Sequence, residues 1–192
     1  GRQCRQALGR HGDEALVLFG EDVLLAAGEE EGGEGLADGV GDLAEVEALL
    51  AVGAEDLDLG DDRSSHVRVV VQLPSGPVEL YAVHLASPPS PRQAAQRNTQ
   101  LQSLARIIAA ADPAMPRIVA GDFNVSPWSP YFGDLLRDAR LTDGRRPFGL
   151  NYTWPSWPVP LLWIPIDHCL ASGPLALMRV AAGGPAGSDH LP

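Results

Sequence analysis

The pattern of hydrophobic and polar positions changes near residue 65. From there on, short runs rich in β-branched residues predict strands, and apolar residues at helical spacing predict helices. The predicted strands cover residues 66–73, 78–85, 117–120, 164–171 and 175–182, and the predicted helices cover residues 92–111 and 131–139. Strands and helices in this order predict a layered α/β (or α+β) domain, whose functional side chains are expected at strand ends.

The first 62 residues have a different composition. They contain 17 acidic residues, three arginines and one aromatic residue, Phe19, which gives this segment a net charge of −14. Leucine and valine at helical spacing predict a short amphipathic helix over residues 42–52, and the glycine- and acid-rich run at 28–41 predicts a flexible segment. We therefore expect residues 1–62 to be an acidic segment that is poorly ordered or unrelated to the domain formed by residues 63–192.

Composition excludes several classes of protein. A chain of 192 residues with 45% hydrophobic residues can bury the core of one domain. No run approaches the roughly 20 apolar residues of a membrane span, and no basic stretch followed by an apolar one predicts a signal peptide. Two cysteines, Cys4 and Cys169, exclude a disulfide scaffold and a cysteine-based zinc site. Residues 63–192 carry 11 arginines and eight acids, so the overall charge of −11 does not exclude a polyanionic partner.

Three of the eight acidic residues in this second part stand beside apolar segments. Asp122 follows a short apolar strand, Asp167 follows Ile-Pro-Ile, and Asp189 lies in a Ser-Asp-His sequence. Because an isolated buried carboxylate is unfavourable, such a residue normally has a hydrogen-bond partner or a cation. Each residue alone has a simple structural explanation, as a turn cap, a strand end or a member of a surface pair. Their common placement favours a site instead.

The residues around these carboxylates indicate the kind of site. Asp122 and Asn124 lie two positions apart, so their side chains point the same way if Phe123 faces the core. Carboxylate and carboxamide oxygens suit Mg²⁺, and no histidine or cysteine pair with zinc spacing is present. His190, next to Asp189, can donate to a phosphoryl oxygen, and a free carboxylate can hold its imidazole in one tautomer.

His84 closes a predicted strand, where it either looks into a cleft or is a half-buried strand-end residue. Together with Gly-Asp-Phe-Asn at 121–124, Ile-Asp-His at 166–168 and Gly-Ser-Asp-His-Leu-Pro at 187–192, it resembles the endonuclease/exonuclease/phosphatase superfamily over roughly residues 65–192. The resemblance implies a four-layer α/β/β/α sandwich of the DNase I-like type that cleaves phosphate esters with Mg²⁺ or Mn²⁺. It implies a monomer with no obligate protein partner. The aromatic loop is most similar to a bacterial branch whose members often carry membrane helices upstream.

The resemblance also implies a role for each matching residue. Asp122 would activate the attacking water, for which a carboxylate is a suitable base, and it would contact the metal. Asp189 would bind the metal directly or through water. Asn124 would hold the scissile phosphate and help to place the water.

The two histidines are assigned in the same way. His190 would stabilise the phosphoryl oxygens, with Asp167 paired to it, and His84 would assist near the leaving group. These assignments agree with the chemistry, because the transition state of phosphoryl transfer spreads negative charge over the phosphoryl oxygens. A metal ion and a cationic imidazole are the groups that stabilise such charge.

The sequence leaves the substrate open between nucleic acid, a lipid headgroup and a small phosphate ester. Trp154 lies with Tyr152, Trp157 and Trp163 in a proline-rich aromatic loop that can stack on bases or contact a lipid headgroup. We therefore take Trp154 as a candidate substrate-binding residue, although packing of this loop on its own domain explains the same residues equally well. Nucleic acid would need a basic groove, for which the arginines give only a mild positive balance, and those on the predicted helices are more simply explained as solvated.

One part of the family pattern is absent from the sequence. The family places an Asn at the end of a first strand and a Glu at the end of a second, and both help to bind the metal. Residues 1–62 contain no asparagine and no Gln-Glu pair, and a final strand is expected after residue 192. We therefore expect an incomplete sandwich. A truncated, catalytically inactive module that binds a partner is the alternative function, and a plain α/β domain with chance motifs is a third.

Overall fold

The computed structural model describes most of the chain from residue 50 onward and three short strands before it. The described residues are 6–9, 14–18, 26–29, 50–60, 66–73, 75–144, 152–156, 163–173, 175–180, 182 and 188–191. Within them, neither helix has the length and apolar character needed to cross a membrane.

Ten strands and two helices are formed in these ranges. In chain order they are β1 (Gln6–Gly9), β2 (Glu14–Leu18), β3 (Ala26–Glu29), β4 (Leu50–Asp56), β5 (Val67–Leu73), β6 (Gly76–His84), α1 (Pro91–Ala110), β7 (Arg117–Asp122), α2 (Pro130–Asp138), β8 (Thr142–Asp143), β9 (Asp167–Ser172) and β10 (Ala176–Val180). Six of the strands form a mixed sheet in the order β4-β5-β6-β7-β9-β8, and the other four form a sheet in the order β10-β1-β2-β3. The predicted α/β class is confirmed.

The six-stranded sheet owes its mixed character to α1. Strands β6 and β7 pair in parallel, whereas the other described neighbours in this sheet are antiparallel. A parallel pair needs a long crossover, and α1 supplies it. Ser90 caps this helix by accepting a hydrogen bond from the backbone of Gln93, and Pro91 follows at the first helical position, where a missing N–H costs nothing.

The two faces of this sheet bury different apolar sets. On one face, alternate residues of β6 and β7 pack under the helices with Phe123, Phe132 and Leu135. The opposite face carries a second apolar cluster, which consists of Val71, Leu73, Val78, Leu80, Ile118, Cys169 and Ala171. Because side chains alternate along a strand, His84, Asp122 and Asp167 continue this second face beyond the apolar cluster at one end of the sheet.

A row of charged residues crosses the helix-covered face at the other end of β6. Glu79 is 3% exposed and accepts a hydrogen bond of 2.5 Å from Nε of Arg117, which is equally buried. Its second carboxylate oxygen accepts from Arg68, and Arg68 also bonds Glu55 at 2.6 Å. The Tyr81 hydroxyl donates to Glu79 at 3.2 Å. Four neighbouring strands are therefore joined by ion pairs as well as by their backbones.

The structure corrects the prediction for residues 42–52. Residues 50–52 belong to strand β4, which pairs with β5, so the helix predicted there is wrong at its C-terminal end; residues 42–49 lie outside the described residues. Backbone pairing with a neighbouring strand outweighs a helical spacing of apolar residues in a short segment. The segment predicted to be flexible, 28–41, begins inside β3, and its remainder lies outside the described residues.

The bounds of other elements differ from the predicted bounds by a few residues. The strand predicted at 164–171 is Asp167–Ser172, because Ile164 instead forms an isolated bridge with Trp154. The composition boundary between residues 62 and 63 falls between β4 and β5, which are neighbours in one sheet. The description of residues 1–62 as poorly ordered or unrelated stays a prediction, as does the four-layer arrangement of the sandwich.

Candidate active site

Three polar residues are placed side by side by the register of three strands. In the parallel pair β6–β7, His84 lies opposite Asp122, and in the antiparallel pair β7–β9, Asp122 lies opposite Asp167. All three are strand-end residues, and backbone hydrogen bonds continue just beyond them, from Leu85 to Asp122 at 2.9 Å and from Phe123 to Ile166 at 3.0 Å. The sheet thus presents an imidazole and two carboxylates in one row.

Gly121 allows the strands carrying His84 and Asp122 to come together. Its φ of +139° lies outside the range that side-chain-bearing residues favour, and a Cβ at this position would meet the carbonyl oxygen of Val83 at 1.9 Å. No other residue type fits there without movement of the backbone. The glycine of the Gly-Asp-Phe-Asn sequence is therefore a requirement of the fold immediately beside the site.

Asn124 holds both oxygens of the Asp122 carboxylate. Its backbone N–H donates to Oδ1 at 2.7 Å, and its side-chain Nδ2 donates to Oδ2 at 2.9 Å and to the carbonyl of Leu85 at 2.9 Å. Phe123 between them is fully buried, as expected, but Asn124 lies past the end of β7 with φ of +48°. The two side chains meet because of this left-handed turn, and the strand alternation assumed from the sequence plays no part beyond Asp122.

His190 completes the row from a separate segment of the chain. Its Nδ1 lies 2.9 Å from Oδ2 of Asp167, and its Nε2 lies 3.9 Å from Oδ2 of Asp122. His84 approaches the same Asp122 oxygen, with Nε2 at 3.6 Å, and its side chain is 70% exposed. The Oδ2 atom of Asp122 is therefore flanked by two imidazoles, and His84 stands on the solvent side.

The segment 188–191 is held in place by residues 152–156. The backbone N–H of Leu191 donates to the carbonyl of Thr153 at 2.6 Å, and the backbone N–H of Ser156 donates to the carbonyl of Asp189 at 2.7 Å. The Ser156 hydroxyl adds a bond of 2.7 Å to the carbonyl of Ser188. These contacts bring His190 to Asp167 from 23 residues away in the sequence.

The environment shifts the pKa values of two of these groups. Burial, followed by the negative charge of Asp167, raises the pKa of Asp122 to about 6, although the hydrogen bond from Asn124 and the two histidines act in the opposite direction. The hydrogen bond to Asp167 raises the pKa of His190 and outweighs the effect of burial. Near neutral pH the site therefore combines a carboxylate close to its titration point with an imidazole biased towards its protonated form.

The same side chains form a candidate divalent-cation site. Ligand atoms of Asp122, Asp167 and His190 lie within 4.8 Å of one another, a cluster that stands out among the described residues. Two carboxylates that face each other repel, which favours a cation between them, and carboxylate oxygens are the ligands that Mg²⁺ and Mn²⁺ prefer. The residues present thus fit a hard divalent ion.

Asp189 and Trp154 lie beside this cluster and contact each other. The indole N–H of Trp154 donates to Oδ2 of Asp189 at 3.4 Å, and Asp189 is exposed. The structure therefore brings together five of the predicted residues, His84, Asp122, Asn124, Asp167 and His190, and places the Asp189 carboxylate outside the three-residue cluster. The metal-binding role of Asp189 and the substrate-binding role of Trp154 stay predictions. Trp157 lies outside the described residues.

Sequence reasoning missed three residues that support the site. Thr153 accepts the backbone N–H groups of Ile166 and Asp167 on its hydroxyl, both at 3.2 Å. The ring of His168 bonds the carbonyl of Val125 at 2.7 Å, and Arg97 donates to the carbonyl of Asn124 at 2.7 Å. A threonine between two aromatic residues, Tyr152 and Trp154, was a usable signal, whereas the arginine resembled any solvated helix residue.

Comparisons with known proteins agree with this geometry. The model of the Endonuclease/Exonuclease/phosphatase family matches residues 49–190, which includes β4 and every site residue described above. Among solved structures, an endonuclease/exonuclease/phosphatase from Beutenbergia cavernae is similar with 24% identity and a TM-score of 0.55, over 74% of this chain and 44% of that one. Truncated TDP2 from Caenorhabditis elegans is similar with 16% identity and a TM-score of 0.58, over 76% of this chain and 65% of that one.

These structural similarities concern the fold, and the chain spans less than two thirds of either relative. No curated protein sequence matches the chain. The family match covers about three quarters of the 192 residues and confirms the resemblance inferred from the motifs. The chain therefore belongs to the endonuclease/exonuclease/phosphatase family.

Proposed function

We propose that this chain hydrolyses phosphate esters with the help of a divalent cation, Mg²⁺ or Mn²⁺. The observation that carries the proposal is the convergence of His84, Asp122, Asp167 and His190 at one end of the sheet. The two carboxylates provide a base, the His190 imidazole, which is biased towards its protonated form, provides a charge stabiliser, and the exposed His84 imidazole provides a group near the leaving oxygen.

Asp122 is the proposed base for the attacking water. A base works best when its pKa is close to the working pH, and burial moves Asp122 in that direction. Both of its oxygens are already held by Asn124, so its orientation is set before substrate arrives. As the water oxygen forms its bond to phosphorus, its proton passes to the Asp122 carboxylate, and the bond from phosphorus to the leaving oxygen breaks.

His190 and His84 are proposed to act on the other oxygens. Asp167 holds Nδ1 of His190, so Nε2 is the ring atom left to face Asp122 and to donate to a phosphoryl oxygen. The carboxylate also keeps this ring charged as negative charge develops on the phosphoryl group. His84 is exposed on the outer side of Asp122, where it can deliver a proton to the leaving oxygen.

A divalent cation would be held by Asp122 and Asp167, with Asp189 as a nearby carboxylate that can take part. When bound, the cation supplies Lewis-acid stabilisation of the phosphoryl oxygens and neutralises the two facing carboxylates. Magnesium is bound to the Staphylococcus aureus β toxin in one of the similar structures, and that ion is a property of that protein.

Asn124 has a different proposed role from the one that the family resemblance implies. Both hydrogens of its carboxamide are committed, one to Leu85 and one to Asp122. A contact with the scissile phosphate requires one of these bonds to break, since a carboxamide has two N–H hydrogens. We propose that Asn124 first serves to orient Asp122.

The substrate is proposed to be a phosphodiester or phosphomonoester of a nucleic acid, a lipid headgroup or a small molecule, and Trp154 remains the candidate contact for a base or headgroup. The alternative, a truncated module without catalysis, keeps the same geometry but binds a partner and turns over no phosphate ester.

Hydrolysis of bis-p-nitrophenyl phosphate and of plasmid DNA, with and without Mg²⁺ or Mn²⁺, separates these two functions. The proposal requires metal-dependent hydrolysis that falls by about 10²-fold or more in Asp122→Ala and in His190→Ala. The matched control is Asp138→Ala, an exposed carboxylate on α2. Absence of hydrolysis would favour the inactive module, and hydrolysis that survives both substitutions would contradict the roles proposed for Asp122 and His190.

A further inference from the structure

Arg97 lies on α1 and reaches the loop that carries Asn124. Its Nη1 donates to the backbone carbonyl of Asn124 at 2.7 Å, while its Nε and Nη2 donate to Oδ1 of Asn98 at 3.2 and 2.8 Å. The side chain is half-buried, and burial lowers the pKa of the guanidinium. Among the ion pairs of the described residues none involves Arg97. A partly desolvated arginine aimed at a backbone carbonyl therefore calls for an explanation other than surface charge.

Helix α1 anchors both of the loops that carry the site. One turn after Arg97, the buried Gln100 accepts the backbone N–H of Ala86 on its side-chain oxygen at 2.8 Å. Ala86 follows the strand that ends at His84, and Asn124 follows the strand that ends at Asp122. Two side chains on one face of α1 thus hold the two strand-to-loop junctions at a fixed spacing.

Asn124, whose carbonyl accepts the bond from Arg97, has an unfavourable backbone conformation. Asn124 has φ of +48°, a left-handed conformation that asparagine tolerates better than most residues but that remains uncommon. In this conformation its N–H and its carboxamide point back to the two oxygens of Asp122. His168 holds the next carbonyl, that of Val125, so the chain is pinned at consecutive peptide groups.

We infer that Arg97 is a positioning residue: through the carbonyl of Asn124 it fixes the turn that orients the Asp122 carboxylate. The inference rests on the proposed function for its catalytic consequence, and its structural part stands independently. It assigns Arg97 an indirect role, because the guanidinium touches the loop backbone and not the reacting groups.

The test compares Arg97→Met, Arg97→Lys and the control Arg106→Met in the full chain. Methionine keeps the apolar part of the side chain, and lysine keeps one donor. Arg106 lies on the same helix, is exposed and bonds only its own helix, at Gln102 and Ser103. Two readouts are taken: hydrogen exchange of the Asn124 amide in the metal-free protein, and kcat and KM for bis-p-nitrophenyl phosphate with Mn²⁺.

We expect Arg97→Met to accelerate exchange at Asn124 by about tenfold or more, while amides of α1 and of β9 keep their rates. We expect kcat to fall by about 10- to 100-fold with KM unchanged, because misplacement of a catalytic group lowers the rate of the chemical step. Arg97→Lys should recover part of both effects, and Arg106→Met should show neither.

Unchanged exchange at Asn124 in Arg97→Met overturns the inference whatever the activity. An acceleration of exchange that spreads through α1 and the sheet also overturns it, because that marks general destabilisation. An unchanged kcat of Arg97→Met in an active protein overturns it as well. If the wild-type chain hydrolyses nothing, the proposed function fails, and the exchange data alone decide whether Arg97 fixes the loop.

Discussion

The imidazole of His190 and the carboxylate of Asp167 are joined by a contact of 2.9 Å between Nδ1 and Oδ2. This contact links strand β9 to the Ser-Asp-His segment and leaves Nε2 of the ring facing Asp122. The carboxylate has two effects on the imidazole: it selects the ring atom that faces Asp122, and it raises the pKa of the ring. An uncharged partner at position 167 would still orient the ring in part, but it would no longer raise the pKa of His190.

Asp167→Asn should therefore lower the pKa of His190 and lower kcat by about 10²-fold, as expected for loss of charge stabilisation at a phosphoryl oxygen. The pKa is measured by NMR titration of the imidazole in the metal-free protein, and kcat with bis-p-nitrophenyl phosphate. Asp56→Asn, an exposed carboxylate on β4, is the control. A His190 pKa that is the same in Asp167→Asn and wild type would show that the contact has no electrostatic effect.

Divalent cations should stabilise the protein more above pH 6 than below it. The folded pKa of Asp122 is about 6, well above its ordinary value, so the folded protein binds a proton more tightly than the unfolded chain does. In the metal-free protein this group lowers the free energy of unfolding as the pH rises from about 3.9 to about 6. A cation that binds Asp122 in place of the proton offsets this loss of stability.

Thermal unfolding with and without Mg²⁺ or Mn²⁺, followed across this range of pH, measures the effect. The shift in Tm caused by the cation should grow as the pH rises through about 6. It should be small in Asp122→Asn. A cation-induced shift that is independent of pH, or equal in Asp122→Asn, would place the bound ion elsewhere.

Gly121→Ala should destabilise the fold by about 3 kcal/mol or more, because the added Cβ collides with the Val83 carbonyl and the φ of +139° disfavours a side chain. Gly133→Ala is the matched control. Gly133 lies in α2 with nothing within 4 Å of an added Cβ, so alanine there should stabilise the helix by about 0.5–1 kcal/mol. Urea unfolding of the two variants measures the difference, and equal stabilities would mean that β6 and β7 can separate at no cost.

Glu79→Gln should destabilise the protein at neutral pH by about 3 kcal/mol, because it leaves two arginines without their buried carboxylate. Burial alone raises the pKa of Glu79, but the hydrogen bond from Arg68 and the charges of Arg117 and Arg68 outweigh it, so the pKa is lowered. The stabilisation is therefore complete above the ordinary pKa of a glutamate and is lost as the pH falls through the lowered folded value.

Urea unfolding of wild type and Glu79→Gln at several pH values checks this. The difference in free energy of unfolding between the two proteins should shrink as the pH falls below the ordinary pKa of glutamate. Glu55→Gln, at the exposed end of the same row, should cost less than about 1 kcal/mol. A change in the free energy of unfolding in Glu79→Gln that does not vary with pH would mean that the charge of Glu79 does not contribute to stability.

The sequence was sufficient to predict where the polar groups lie along the strands. Asp122 and Asp167 each adjoin an apolar run, and a carboxylate in that position is expected at a strand end near the surface. That these ends meet could not be derived from spacing, because strand neighbours and register are set by long-range pairing. The family motifs supplied this information for the site residues, which are His84, Asp122, Asn124, Asp167 and His190.

Two failures have clear physical causes. Leucine and valine at helical spacing predicted a helix that ends at residue 52, but β5 offers residues 50–56 a partner strand, and tertiary pairing decides such short segments. Arg97 was assigned to a solvated helix face because an arginine pattern does not distinguish water from a backbone carbonyl. The partner of Arg97, the carbonyl of Asn124, becomes apparent only from the position of the loop after β7.

Titration of the chain with Mn²⁺, followed by paramagnetic broadening of its NMR signals, most directly tests whether Asp122 and Asp167 hold a divalent cation beside His190. The account predicts saturable binding that broadens the signals of these three residues first and leaves those of buried Leu104 in α1 sharp. Asp122→Asn and Asp167→Asn should each weaken this binding. Absence of saturable binding, or broadening centred on another part of the chain, would contradict it.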